Sequence, residues 1–238
     1  MVGRSARDLL GFCHKLSGLR LRRHSLFPRA HSAIVGHRPA LEGVALPIAY
    51  RAGSSATQTT GSLPITIPGS VQTGDLLVLV AGLNDAGVPD HDWSTPAGWT
   101  LRDARRVGTN LFAMCAVRVC QPGDPGSVVT LTTVATGKSA AGIVAYSGVD
   151  PSTPINIGAT ASETVSTASH TTPTVDTTVP DTLVIAACVT SHSVDESWST
   201  AAGYTKRLDA EQVAGFSGQV TLTIQDQAEP EVGQAGGA

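Results

Sequence analysis

The chain has 238 residues and a formal charge of −3, with only 15% charged and 4% aromatic side chains against an abundance of Gly, Thr, Ser, Ala and Val. That balance suits an all-β protein in which β-branched residues fill pleated strands and Gly and Pro make the corners. No window approaches the apolar length needed to span a bilayer, which excludes a transmembrane helix from the reading, and the length leaves room for one large or two small domains.

The charge is unevenly placed. Residues 1–43 hold eight Lys and Arg against Asp8 and Glu42, a balance of +6 that leaves −9 for the remainder. In this leader Ser5-Ala6-Arg7-Asp8 is an acceptable helix start, and Leu9, Phe12, Cys13, Leu16 and Leu19 recur at helical spacing opposite Lys15 and Arg20. The leader, residues 1–46, is therefore expected to be a short basic amphipathic helix or a disordered arm. An organelle presequence or a surface-touching arm would share its Arg-rich, acid-poor character. Leu41-Glu42-Gly43 ahead of Val44 also fits a translated ribosome-binding sequence, with the true start near Val44 or Leu46.

From residue 47 the pattern is strand, turn, strand. Ile65-Thr66-Ile67 leads through Pro68-Gly69 to a Gly74-Asp75 turn, and Leu76–Val80 is a continuous apolar run, as for a strand covered on both faces. Strands follow at 99–106, 111–120, 127–133 and 140–147, with the dense turn Pro122-Gly123-Asp124-Pro125-Gly126 among them. The stretch Trp93-Ser94-Thr95-Pro96-Ala97-Gly98-Trp99-Thr100-Leu101-Arg102 then returns as Trp198-Ser199-Thr200-Ala201-Ala202-Gly203-Tyr204-Thr205-Lys206-Arg207, an offset of 198 − 93 = 105 residues. The apolar strands that precede the two copies, from Asp75 and from Asp181, are offset by 181 − 75 = 106.

These signals predict an antiparallel, jelly-roll-like β-sandwich over 47–238, built from two unequal halves. The first half is 63–150, a Thr-, Ser- and Pro-rich crossover with one or two edge strands is 151–180, the second half is 181–227, and 228–238 is a frayed tail. The second copy lacks counterparts of 127–133 and 140–147, so an exposed strand edge is expected, and an open edge invites pairing with another chain.

The four cysteines make no metal pattern: Cys115 and Cys120, five apart on a strand, point to opposite faces. Cys115 and Cys188 are read first as small buried thiols and second as a bridge across the core. Loops 84–92 and 191–196 occupy equivalent places and share acids and histidine. Asp90 and Asp92, with Asp85 nearby, resemble part of an oxygen-ligand loop, which makes calcium the candidate cofactor there. Trp93 and Trp198 are the candidate stacking platforms for a sugar ring, with His91 and His192 beside them, whereas Trp99 and Tyr204 are expected to plug equivalent ends of the core. No catalytic set is found: Gly215-Phe216-Ser217-Gly218 is not a nucleophile elbow, and Gly137-Lys138-Ser139 lacks the first glycine and the helix of a phosphate loop.

The order Gly74-Asp75-Leu-Leu-Val, Pro96-Ala97-Gly98-Trp99-Thr100, Gly126-Ser127-Val-Val-Thr-Leu-Thr and Ala145-Tyr146-Ser147-Gly148-Val149-Asp150-x-x-Thr153-Pro154-Ile155 resembles a loose group of phage tail-associated or virion proteins and secreted bacterial surface proteins. The resemblance covers about 47–227 and implies a β-sandwich used for display, adhesion or particle assembly. The leading expectation is a non-enzymatic structural or adhesive module of a phage particle or bacterial surface, located in the virion or outside the cell. Its partners would be other copies of itself or other virion and surface proteins, met through the strand edge, with no nucleic acid expected for the sandwich. The alternative is a carbohydrate-binding module that recognises a cell-surface glycan.

Overall fold

The structure, a computed structural model, describes residues 10–12, 47–85, 93–133, 137–164, 169–192, 197–212, 218–229 and 231–236. All regular structure among them is β-strand: β1 (Leu10–Phe12), β2 (Ala49–Gln58), β3 (Leu63–Thr66), β4 (Leu76–Asn84), β5 (Thr100–Val107), β6 (Leu111–Val119), β7 (Val128–Leu131), β8 (Lys138–Ser147), β9 (Thr174–Asp176), β10 (Thr182–His192), β11 (Thr205–Gln212), β12 (Gln219–Glu229) and β13 (Gln234–Gly236). Every pairing is antiparallel. The chain is therefore the β-sandwich that its composition and strand pattern predict.

A five-stranded sheet in the order β2-β8-β4-β6-β5 faces a four-stranded sheet in the order β1-β10-β12-β11. Their facing sides meet in one apolar core, with Val78 and Val80 of β4, Ala113 and Cys115 of β6 and Val144 of β8 against Ile185, Ala187 and Val189 of β10 and Leu222 and Ile224 of β12. Each large aliphatic side chain buried here contributes about 1.5–3 kcal/mol. The outer side of the five-stranded sheet is apolar as well. It carries Leu77, Leu79, Phe112, Met114 and Ile143, and the β3–β7 ribbon closes over it with Leu63, Ile65, Val129 and Leu131. This second core explains why β4 reads as an unbroken apolar run, since both of its faces are covered. A smaller ribbon, β9–β13, accompanies the outer side of the other sheet, where Val175 joins Val184, Ala186 and Tyr204.

The two halves are copies of one unit. Strands β3 to β7 correspond in order and pairing to β9 to β13, and both copies break register at an arginine: Arg102 is skipped between Leu101 and Asp103, Arg207 between Lys206 and Leu208. Both are β-bulges at the same place, 105 residues apart (207 − 102). Equivalence then follows along the ladders. Thr100 pairs with Val117 and Val117 with Val78, while Thr205 pairs with Asp226 and Asp226 with Ile185. Val78 thus matches Ile185, an offset of 185 − 78 = 107 instead of the 106 read from the sequence. Side chains alternate along a strand, so a slip of one residue would have turned the core side of β10 outward. The turn before each strand agrees: Gly74 (φ 93°) and Asp181 (φ 55°), also 107 apart, both take the left-handed conformation that opens the strand.

Copies meet at equivalent points of β4 and β10. A Cβ on Gly82 would lie 2.3 Å from a methyl of Val189, the residue that matches it, so glycine is what lets the sheets approach there. Beside it the Asn84 amide donates to the Ser191 hydroxyl.

Four expectations change. The tail is not frayed throughout: β12 runs to Glu229, and Gln234–Gly236 pairs with β9 as β7 pairs with β3. Strand β2 lacks the apolar alternation that would have marked it, because it is an edge strand of Ser, Ala and Gly paired to β8 alone. Leu10–Phe12 is a strand, not a helical turn, because the edge of β10 offers it ladder partners from Val189 to Ser191. The rest of the leader lies outside the described residues. Finally, Cys115 and Cys120 are free and buried on opposite sides of their sheet, as expected, but Cys188 is disulfide-bonded to a partner outside the described residues.

Candidate functional site

The site is found by asking where the two copies differ. On the outer side of the first sheet, Leu79, Met114 and Ala116 pack with Trp93 and Trp99 beneath the β3–β7 ribbon. The offsets of 107 for β10 and 109 for β12 (226 − 117) place Ala186, Thr223 and Gln225 at the matching positions of the second sheet. A leucine has become alanine, a methionine threonine, and an alanine a glutamine. Loss of side-chain volume and gain of polar groups open a hollow of about 220 Å³ lined by His170, Thr172, Cys188, Trp198, Thr223 and Gln225, among others.

Trp198 is held at this hollow by its loop. The Gln225 amide accepts from the Ala201 N–H at 2.9 Å and donates to the Ser199 carbonyl at 2.9 Å, and the Lys206 ammonium donates to the Trp198 carbonyl. Gly203 (φ 80°) makes the corner, as Gly98 (φ 79°) does in the first copy. The His170 ring lies against the indole with centroids 5.4 Å apart, tilted by 48°, and its Nδ1 is paired with Glu163. Thr223 donates to the Leu208 carbonyl at 3.2 Å. A primary amide has two donors and two acceptor lone pairs. Gln225 thus keeps hydrogen-bonding capacity after fixing the loop, and so does the Thr223 hydroxyl.

The two tryptophans expected to act alike do not. Trp93 is only 5% exposed and belongs to the outer core of the first copy, so it is no stacking platform. Trp198 is half-buried at the mouth of the hollow. Both indole N–H groups are buried without a hydrogen-bond partner among the described residues, so that feature does not separate them. Trp99 and Tyr204 are both buried at matching corners, each in the outer apolar cluster of its own sheet.

Asp85 and His192 do stand at equivalent positions (192 − 85 = 107), and each faces a side chain of the neighbouring edge strand. Both Asp85 oxygens accept from Arg106, at 2.8 and 3.0 Å, and its side chain is fully buried. In the second copy His192 is buried 4.0 Å from Glu211, and Glu211 matches Arg106 (211 − 106 = 105). The pairing has kept its place while its residue types have changed. A carboxylate already gripped by a bidentate guanidinium is a poor ligand for a cation, so Asp85 leaves the calcium set. Asp90, Asp92 and His91 lie outside the described residues. Among the described residues no three His, Cys, Asp or Glu are grouped to hold a metal.

A further polar cluster was not foreseen. Asp226 stands where the first copy has Val117, in the main core, and accepts from the Tyr146 hydroxyl at 2.9 Å and from Arg207 at 2.7 Å. Arg207 lies 4.7 Å over the Tyr50 ring, which meets Tyr146 edge-on. Burial first, then the neighbouring Asp226, pushes the Tyr146 phenol well above its ordinary range. The cluster ties the two sheets together. The Arg shared by the Thr-x-Arg corners was its only sequence signal.

No helix among the described residues is long and apolar enough to cross a membrane. Comparison of the chain with protein-family models, with curated proteins and with solved structures finds no match.

Proposed function

We propose that the chain is a non-enzymatic structural or adhesive module of a phage particle or bacterial surface, assembled by strand addition at the β10 edge. One observation carries the reading. In the first copy β8 covers the edge of β4 along nine residue pairs, Leu76–Asn84. In the second copy, among the described residues, the same edge, on β10, is met only at Val189–Ser191, and by β1, a strand from outside the repeat. Beyond that, Thr182–Ala187 has no strand on this edge among the described residues. An edge left open along Thr182–Ala187 is an acceptor for an added strand, and the donor proposed is a strand of another copy of the chain laid along those residues. The disulfide at Cys188 supports a location outside a reducing cytoplasm.

Hydrogen exchange of the Leu183–Ala187 amides, followed against protein concentration together with sedimentation, tests this. Protection that rises as oligomers form supports assembly through the edge. Protection independent of concentration, or a monomer throughout, overturns it.

A further inference from the structure

We infer that the hollow beside Trp198 binds a neutral saccharide ring. This goes beyond assembly through the β10 edge and does not depend on it. The first copy shows what this unit does when the outer side of its sheet serves packing alone: Leu79, Met114 and Ala116 are buried in the same apolar core as Trp93. The second copy keeps the tryptophan, the glycine corner and the ribbon but replaces the filling with Ala186, Thr223 and Gln225. Both polar groups are bonded, Gln225 to the loop and Thr223 to the Leu208 carbonyl, and each keeps hydrogen-bonding capacity beyond those partners.

The chemistry of the lining then selects the ligand. Among the described residues, hydroxyl, amide and imidazole groups line the hollow, and the carboxylate beside it, Glu163, is paired with His170. Such a lining meets a polyol with donors and acceptors of moderate strength. The half-buried indole offers an apolar face, and a pyranose is a molecule with C–H groups on one face and hydroxyls around its rim. Size agrees. About 220 Å³ lies below the roughly 300–1,000 Å³ of drug-sized pockets, enough for one ring with the rest of a glycan outside. Gln225 acts here as a positioning residue, since its amide holds the loop that carries Trp198.

The experiment is a neutral-glycan array probed with the full chain, followed by titration calorimetry on the best hit for wild type, Thr223→Met, Thr223→Val and Trp198→Ala. Thr223→Met restores the residue of the first copy and fills the hollow. It is expected to abolish binding while the melting temperature stays within a few degrees of wild type. Thr223→Val keeps the volume and removes the hydroxyl, and a loss of about tenfold is expected, equivalent to one good polar contact. Trp198→Ala is expected to lose binding too, and its melting curve shows whether the loop has unfolded. No hit among neutral glycans, or a hit whose affinity is unchanged in Thr223→Met, overturns the inference. Oligomeric state, measured in the same samples, reports separately on the edge.

Discussion

The outer side of the first sheet and the outer side of the second are built on the same ladders, bulges and glycine corners, yet one is a second hydrophobic core and the other sets a hollow beside a smaller apolar cluster. The strand framework thus tolerates either filling. Backbone register and the core between the sheets hold the unit, and the outer positions of β10 and β12 are free to change. The same lesson appears where Asp85–Arg106 and His192–Glu211 occupy one location with different residue types. Position is set by the repeat, and chemistry is set copy by copy.

The largest expected difference between the copies is at the paired tryptophans. Trp93→Ala removes a fully packed indole and should cost about 3–5 kcal/mol in denaturant unfolding, against about 1–2 kcal/mol for the half-exposed Trp198→Ala. Equal costs would mean that the second outer layer is packed as tightly as the first. Next come these two pairings. Arg106→Ala strands a buried carboxylate and is expected to cost about 3 kcal/mol. Glu211→Ala removes the more exposed partner of a 4.0 Å pair, and such pairs are worth about 1 kcal/mol or less.

The smallest effects concern pH. Tyr146 is buried with its phenol held above the ordinary tyrosine range, by burial first and by Asp226 second. A raised value in the folded state means that the folded chain keeps a proton the unfolded chain loses. The resulting stability is fully present below the ordinary tyrosine value and falls as pH rises beyond it. An unfolding series through alkaline pH should therefore show a loss that is smaller in Tyr146→Phe. Cys115, its thiol also pushed well up by burial, should resist a thiol reagent until the chain unfolds.

Much of this architecture was legible in the residues, because the signals were local. Gly98-Trp99-Thr100 and Gly203-Tyr204-Thr205 announce a corner used twice, and the apolar runs at Leu76 and Leu183 announce strands covered on both faces. The failures were long-range. Nothing local distinguishes an offset of 106 from one of 107, since both put apolar residues on apolar residues, and only the ladders to β6 and β12 decide. Strands β1 and β13 are three residues each and exist because a partner edge is there to meet them. Trp93 and Trp198 share flanking sequence, and their different burial was written elsewhere, in Met114 against Thr223 and Ala116 against Gln225, which become comparable only once the registers are known. Asp226 was missed for the same reason.

The account stands most directly on the reciprocal exchange at one matched pair, Met114→Thr and Thr223→Met, measured by equilibrium denaturation of the full chain. A polar group and a void placed in the first outer core should cost about 2–4 kcal/mol, while a methionine placed in the hollow should change stability by less than about 1 kcal/mol in either direction. Equal and large losses at both positions would contradict it, because the second copy would then have no hollow to fill.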